Sequence, residues 1–234
     1  MSQPIILALD TSGPHAGFAA ARGGELLASL VVSDGRPHSE TLFGNLSRLL
    51  EAAGLALEEV DLFAAAAGPG SFTGLRVGLS ALQGLADAGR KPALGVDTLS
   101  LLALAALESG EGLIMCGAGR KEVYAGGREI LPGGGIRKIG EDLVGEPASV
   151  AAGAQARSSG RPLTLVVEAG GSNSPPGTAC AGLAASRVIT IDRANVNLAA
   201  TLALFAFRHQ GDARRRPLEA YYVRPSDAEI KRPK

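Results

Sequence analysis

From Ile5 to Leu107 the chain alternates short apolar runs with segments that carry one apolar helical face, and this order leaves few architectures open. Ile5 to Asp10 is a run of strand length ending in an Asp-Thr-Ser-Gly turn cluster. Gly17 to Ala21 follows, and Arg22-Gly23-Gly24-Glu25 turns that run into Leu26 to Val32. Three strands joined by such short turns predict an antiparallel meander. From Ser39 to Ala53, the residues Leu42, Leu46, Leu49, Leu50 and Ala53 share one helical face, and Gly54 stands where a left-handed cap is wanted. Val60 to Ala66 is the next strand, followed by a glycine-rich segment and a helix from Phe72 to about Ala88. A strand from Ala93 to Val96 and a helix from Thr98 to Leu107 complete the series. The order is three strands, helix, strand, helix, strand, helix, which is an α/β pattern.

The pattern thins beyond Gly110. Ile114 to Cys116 and Glu122 to Tyr124 are expected strands of a second meander, with Leu131 to Gly135 as a loop. Ala148 to Arg157 reads as helix, Leu163 to Glu168 as strand, Gly170 to Gly177 as loop and Val196 to Phe207 as a hydrophobic helix. The second half thus echoes the first. Hydrophobic residues at 46% and charged residues at 20% exclude general disorder. Aromatic residues are only 4%, against 32 glycines, so the core is expected to be built from Ala, Leu and Val with close backbone approaches.

Lysine plus arginine and aspartate plus glutamate number 23 each, which disfavours a strongly basic nucleic-acid binder. From Ala213 to Lys234 there are seven Lys/Arg against three Asp/Glu, a net charge of +4 that leaves −4 for the rest. This tail, 214–234, reads either as a solvated terminus or as a contact surface for RNA or an acidic partner. The start of the sequence has no basic stretch and meets Asp10 early, so no signal peptide is expected. The apolar run from Leu101 to Leu107 is far below the ~20 residues of a membrane span, and a cytoplasmic location is expected. Cys116 and Cys180 are too far apart for a metal knuckle and read as reduced thiols.

The most specific segment is Gly68, Pro69, Gly70, Ser71, Phe72, Thr73 and Gly74, with Arg76 in the helix that it opens. Beside it stand Leu7-Ala-Leu-Asp-Thr-Ser12, the cluster of Arg36, His38 and Glu40, Gly95-Val-Asp-Thr-Leu99, the pair Glu122 and Tyr124, and Ala220-Tyr-Tyr-Val-Arg224. In this order and spacing they resemble the TsaB (YeaZ) family of bacterial tRNA threonylcarbamoyladenosine biosynthesis proteins, densely to about residue 108 and again at the carboxyl end. The resemblance implies a two-lobed actin-like, sugar-kinase-like (ASKHA) fold of mixed sheets flanked by helices. A first lobe is expected at 1–107 plus 193–213, a shortened second lobe at 108–192 and the basic tail at 214–234.

Nucleotide-using members of that superfamily place an acid-bearing strand turn in each lobe. Asp10, Thr11 and Ser12 fit the first turn, where an acid can hold hydrated magnesium and hydroxyls can touch phosphate; they equally suit a hydrogen-bonded turn. The second turn, Met115 to Arg120, has no acid, and Gly117-Ala118-Gly119 replaces the Asp-Ala-Arg common in the family. The Gly68–Gly74 loop can cradle an anion or serve close helix-to-sheet packing, but it lacks the Walker A lysine. Gly170 to Asn173 faintly resembles the superfamily's adenosine loop. No cofactor is therefore assigned beyond weak ATP or ADP binding at Asp10, Thr11 and Ser12. Of the three histidines, His15, His38 and His209, none forms a His-x-x-x-His pair, so no metal site is expected. His38 reads as a capping or turn residue rather than a ligand. No catalytic residue is assigned.

On a helical wheel the Phe72–Ala88 segment has an apolar arc of roughly 200°, about twice what one sheet contact needs. Arg76, Ser80, Gln83 and Asp87 form its back. The excess apolar surface is covered either by the neighbouring helix or by a partner. The partner reading is centred on Leu42, Leu46, Leu49, Leu75, Leu79 and Leu82. The resemblance implies a non-catalytic scaffold that pairs with the catalytic subunit TsaD, is joined by TsaE, pairs with itself when alone and meets tRNA through the complex. The alternative is a small-molecule kinase or acyltransferase that uses Asp10 and the cleft between lobes.

Overall fold

In a computed structural model of the 234-residue chain, residues 3–119, 121–157, 163–169, 185–212 and 217–223 are described. Two compact units emerge, one from the segments Met1–Leu101 and Arg193–Ala220, the other from Leu102–Asp192 and Tyr221–Lys234.

The first unit is built on β1 (Ile5–Asp10), β2 (Ala16–Arg22), β3 (Glu25–Val32), β4 (Leu62–Gly68) and β5 (Ala93–Asp97), in the order β3-β2-β1-β4-β5. The first three strands are an antiparallel meander, while β4 and β5 are added in parallel. Its helices are α1 (His38–Ala53), α2 (Phe72–Gly89), the start of α3 (Thr98–Ala106) and, from the later segment, α5 (Leu198–Arg208).

Side chains alternate across a sheet, and here the two faces differ in size. Ile5, Leu7, Leu9, Phe18 and Phe63 face α1 and α2 and form one buried cluster with their leucines. The opposite face carries Gly17, Ala19 and Ala21 paired with Asp10, Ala8 and Ile6. A Cβ at Gly17 would meet Asn197 and Ala199, so α5 lies directly on this small-residue face. Asn197 caps α5 through its carbonyl oxygen and donates to the Phe18 and Leu30 carbonyls at 3.0 and 3.2 Å, tying the helix start to β2 and β3. The scarcity of aromatic residues thus has a structural outlet: an alanine face meets an alanine-rich helix at short range.

The second unit repeats the topology. Its strands β6 (Gly110–Gly119), β7 (Glu122–Ile130), β8 (Ile136–Gly145), β9 (Leu163–Ala169) and β10 (Ala185–Asp192) are ordered β10-β9-β6-β7-β8. Again an antiparallel meander, β6-β7-β8, is extended by parallel strands. The helix α4 (Pro147–Arg157) packs on β7 and β8. Leu113, Met115, Val123, Ala125, Val150, Leu165 and Val167 form its core.

The strands β8 and β10 are absent from the sequence reading. β8 is exposed along Arg137, Lys138, Ile139 and Gly140, which hides any apolar alternation. The tail 214–234 lies outside the described residues except for 217–223, as do Arg120, Cys180 and the loop from Gly170 to Asn173.

One expectation is corrected. The six leucines assigned to a partner surface belong to the core of this chain: Leu75 and Leu82 are 0% exposed, and Leu42, Leu46, Leu49 and Leu79 stay below 10%. The cause is that α1 and α2 pack on each other as well as on the sheet. The wide apolar arc of α2 is covered within the chain, and the back of the helix, Arg76, Ser80, Gln83 and Asp87, is exposed.

Candidate functional site: a self-filled acidic turn

The strand β1 ends in Asp10, which is followed by Thr11 and Ser12, and all three are only 2% exposed. The Ser12 N–H and hydroxyl both donate to Asp10 Oδ1, at 2.9 and 2.7 Å. Asp10 Oδ2 is paired with the Arg193 guanidinium, whose Nη2 also donates to Ser12 Oγ at 3.0 Å. Arg193 is itself 5% exposed, and a Cβ on Gly13 would meet its guanidinium. A buried carboxylate requires a compensating charge, and here an arginine 183 positions away supplies it.

The glycine-rich segment closes the turn from another side. The Ser71 N–H donates to the Ser12 carbonyl at 2.7 Å, and the Thr11 hydroxyl donates to the Gly74 carbonyl at 2.8 Å. A Cβ at Gly74 or Gly78 would collide with Thr11, so these glycines allow α2 to lie on the turn. The Ser71 side chain caps α2 by accepting from the Gly74 N–H at 3.2 Å, and the Leu75 N–H donates to the Ser71 carbonyl at 2.8 Å. Of the two uses open to the loop, close packing is therefore the one that the contacts realise. Gly68 has φ of 105°, a conformation that a side chain rarely adopts. Thr73 is exposed, Pro69 is buried, and Arg76 lies 3.9 Å over the Phe72 ring.

His38 Nε2 lies 3.0 Å from the Gly13 carbonyl, which can only accept, so that nitrogen carries the hydrogen. This places His38 as a turn residue fastening the start of α1 to the acidic turn. Arg36 and Glu40 form an exposed ion pair one helical turn apart at 3.3 Å. Such pairs contribute little, about 0.3–0.5 kcal/mol.

The second unit has its own polar centre. Arg128 is 0% exposed and makes a two-pronged bond to Asp142 at 2.8 and 2.9 Å. The Tyr221 hydroxyl donates to Asp142 Oδ2 at 2.9 Å and accepts from Lys138 Nζ at 3.0 Å. Burial pushes the Asp142 carboxyl up, but hydrogen bonding and charge from Arg128, with help from Tyr221 and Lys138, bring it below its ordinary 3.8. Burial lowers Lys138, yet Tyr221 and the Asp142 charge raise it above 10.5; burial also raises Tyr221 above 10.0. Glu122 and Tyr124 lie on β7, opposite Gly119 and Cys116 of β6. At the acid-free second turn, the Gly117 N–H donates to Glu168 Oε2 at 3.1 Å, so β9 supplies a 7% exposed carboxylate to the end of β6.

Arg193, Glu168, Arg128 and Asp142 were beyond sequence reasoning, since each acts across strands that the sequence does not align. Among the described residues, no group of three or more His, Cys, Asp or Glu could hold a metal ion. Nor, among them, is any helix long and apolar enough to cross a membrane.

Two mixed five-stranded units, each with a meander extended in parallel, define the actin-like, sugar-kinase-like fold class. An activator of 2-hydroxyisocaproyl-CoA dehydratase from Clostridium difficile, with bound ADPNP, superposes over 91% of this chain and 97% of its own. Its TM-score is 0.51 and its identity 13%, so it shares the fold alone. The family model of TsaD, tRNA N6-adenosine threonylcarbamoyltransferase, matches residues 26–174, more than half of the chain. YeaZ from Pseudomonas aeruginosa superposes with a TM-score of 0.70 at 27% identity, over 94% of this chain and 99% of that one. The Haemophilus influenzae tRNA threonylcarbamoyladenosine biosynthesis protein TsaB is 36% identical over 46% of this chain and 45% of its own length. The chain belongs to the family described by the TsaD model and, within it, to the TsaB (YeaZ) group. It spans about half the length of the curated relatives it matches.

Proposed function

We propose that this protein is a non-catalytic scaffold and activator in the formation of N6-threonylcarbamoyladenosine on tRNA, acting by pairing with TsaD through its first unit. Family membership supports the pathway. The observation that carries the non-catalytic reading is the Asp10 carboxylate, both of whose oxygens are taken by groups of the same chain. TsaE joins the assembly, the chain pairs with itself when alone, and tRNA is met through the complex.

With the six leucines internal, the pairing surface moves to the outward side of α1 and α2. There Phe43 is 58% exposed beside the exposed Gly44 and Ser47, and Ser80, Gln83 and Gly84 are exposed on α2. Small residues around one large apolar side chain suit close approach of a partner helix. The test is reconstitution of tRNA modification with TsaD, TsaE, ATP and this protein, beside a pull-down of TsaD with Phe43→Glu. Dependence of modification on this protein, with Phe43→Glu abolishing capture while melting normally, supports the proposal. Modification that proceeds equally without the protein refutes it. The alternative, a kinase or acyltransferase built on Asp10, is supported by phosphoryl or acyl transfer from the isolated protein that Asp10→Asn removes.

A further inference from the structure

In nucleotide-using members of this fold class, an acid-bearing turn after the first strand is the place for a hydrated magnesium ion and phosphate. The residues of this turn do not fit that group. Magnesium is held octahedrally by oxygen and retains several of its waters, so it needs carboxylate oxygens that face open space. Asp10 Oδ1 is held by two donors from Ser12, and Oδ2 by Arg193. The ion pair is shut away, its two side chains being only 4% and 3% exposed. The hydroxyls that would touch phosphate are also committed: Thr11 to the Gly74 carbonyl, Ser12 to Asp10 and Arg193.

We propose that Arg193 is a built-in cation that occupies the place of a divalent ion and closes the Asp10 turn to metal and phosphate. A guanidinium is suited to this. It is always charged, more weakly hydrated than an ammonium or a metal ion, and presents several donors in one plane, so one group reaches both Asp10 and Ser12. It also lies so close against Gly13 that even a Cβ there would collide with it. The position of Arg193 adds a second consequence. It is the first residue of the segment that returns to the first unit, four positions before the Asn197 cap of α5. The ion pair that closes the turn therefore also fastens this returning segment to the end of β1.

The test is titration with Mn2+, followed by the paramagnetic signal of the free ion, with and without ATP. Three forms of the full chain are compared: wild type, Arg193→Ala and the charge-free double variant Asp10→Asn/Arg193→Met. Wild type and the double variant should bind Mn2+ equally. Arg193→Ala should gain a site at least about tenfold tighter, because a buried carboxylate has lost the guanidinium paired with it. The double variant, which lacks the carboxylate, should show no such gain. A site present in wild type and lost in the double variant overturns the proposal, and this comparison decides even if Arg193→Ala fails to fold. A folded Arg193→Ala that binds no better than wild type overturns it as well.

Discussion

Among the described residues, each unit buries one arginine–aspartate pair, and the two pairs are made in opposite ways. In the second unit, Arg128 and Asp142 are 14 positions apart on the paired strands β7 and β8, so the hairpin brings them together. The pair is then extended outward by Tyr221 and Lys138. In the first unit, Asp10 and Arg193 are 183 positions apart and meet only when the chain returns after the whole second unit. The same chemistry therefore does two jobs: a local pair stiffens a hairpin and receives a late tyrosine, while a long-range pair seals a turn.

The largest effects should come from breaking each pair on one side. Arg193→Ala leaves the buried Asp10 carboxylate without its guanidinium, which costs about 3–5 kcal/mol; Arg128→Ala should cost less, because Asp142 keeps Tyr221 and Lys138. Hydrogen exchange should separate them: loss of protection in β1, β2 and α5 for Arg193→Ala, and in β7 and β8 for Arg128→Ala. Removing both partners together, as in Asp10→Asn/Arg193→Met, should restore most of the stability in a denaturant melt.

Next in size is the leucine core. Leu82→Ala should cost about 2–5 kcal/mol in the isolated chain, because Leu82 is fully buried between α2, α1 and the sheet. Urea denaturation checks this, and a loss below about 0.5 kcal/mol would return Leu82 to the surface.

The outward extension of the second pair should be smaller and depend on pH. Tyr221→Phe removes two charge-assisted hydrogen bonds, one to the Asp142 carboxylate and one from the Lys138 ammonium, and should cost about 1.5 kcal/mol. Asp142 is held below its ordinary 3.8, so its stabilisation is complete above that value and is lost as pH falls through the folded value. Lys138 and Tyr221 are raised above 10.5 and 10.0, so their contribution is complete below those values and is lost as pH rises through the folded ones. Asp142→Asn should flatten the acid limb of a melting-temperature profile, and Tyr221→Phe should change the alkaline limb and weaken the acid limb only in part, because Arg128 still holds Asp142 down.

Smallest of all should be Phe43→Glu, within about 0.5 kcal/mol of wild type, because the residue is exposed on α1. Chemical denaturation of the isolated chain measures this. A large loss would show that Phe43 is already covered in the free protein.

The first unit was nearly all legible in the sequence because its strands alternate with helices at short spacing and its turns carry glycine. The glycine signal was ambiguous for a physical reason: the same small residues serve an anion cradle and a helix lying on a turn, and only the contacts of Gly74 and Gly78 with Thr11 distinguish them. The apolar arc of α2 is visible in the sequence, but that α1 covers it is a long-range fact. In the second unit, the exposed face of β8 conceals the strand, and the buried Arg128 looks like any surface arginine until the hairpin brings Asp142 within hydrogen-bond reach. Arg193 was illegible for the strongest reason, since nothing local ties it to Asp10.

The most direct measurement is threonylcarbamoylation of tRNA by TsaD and TsaE in the presence of this protein carrying Asp10→Asn/Arg193→Met, after its folding has been verified by a melt. If the acidic turn is a sealed structural element and the protein acts by pairing, the variant should support the wild-type rate. A fall of about a hundredfold or more with the fold and TsaD capture intact, the scale expected when a group that stabilises a transition-state charge is removed, would contradict this and place Asp10 in the chemistry.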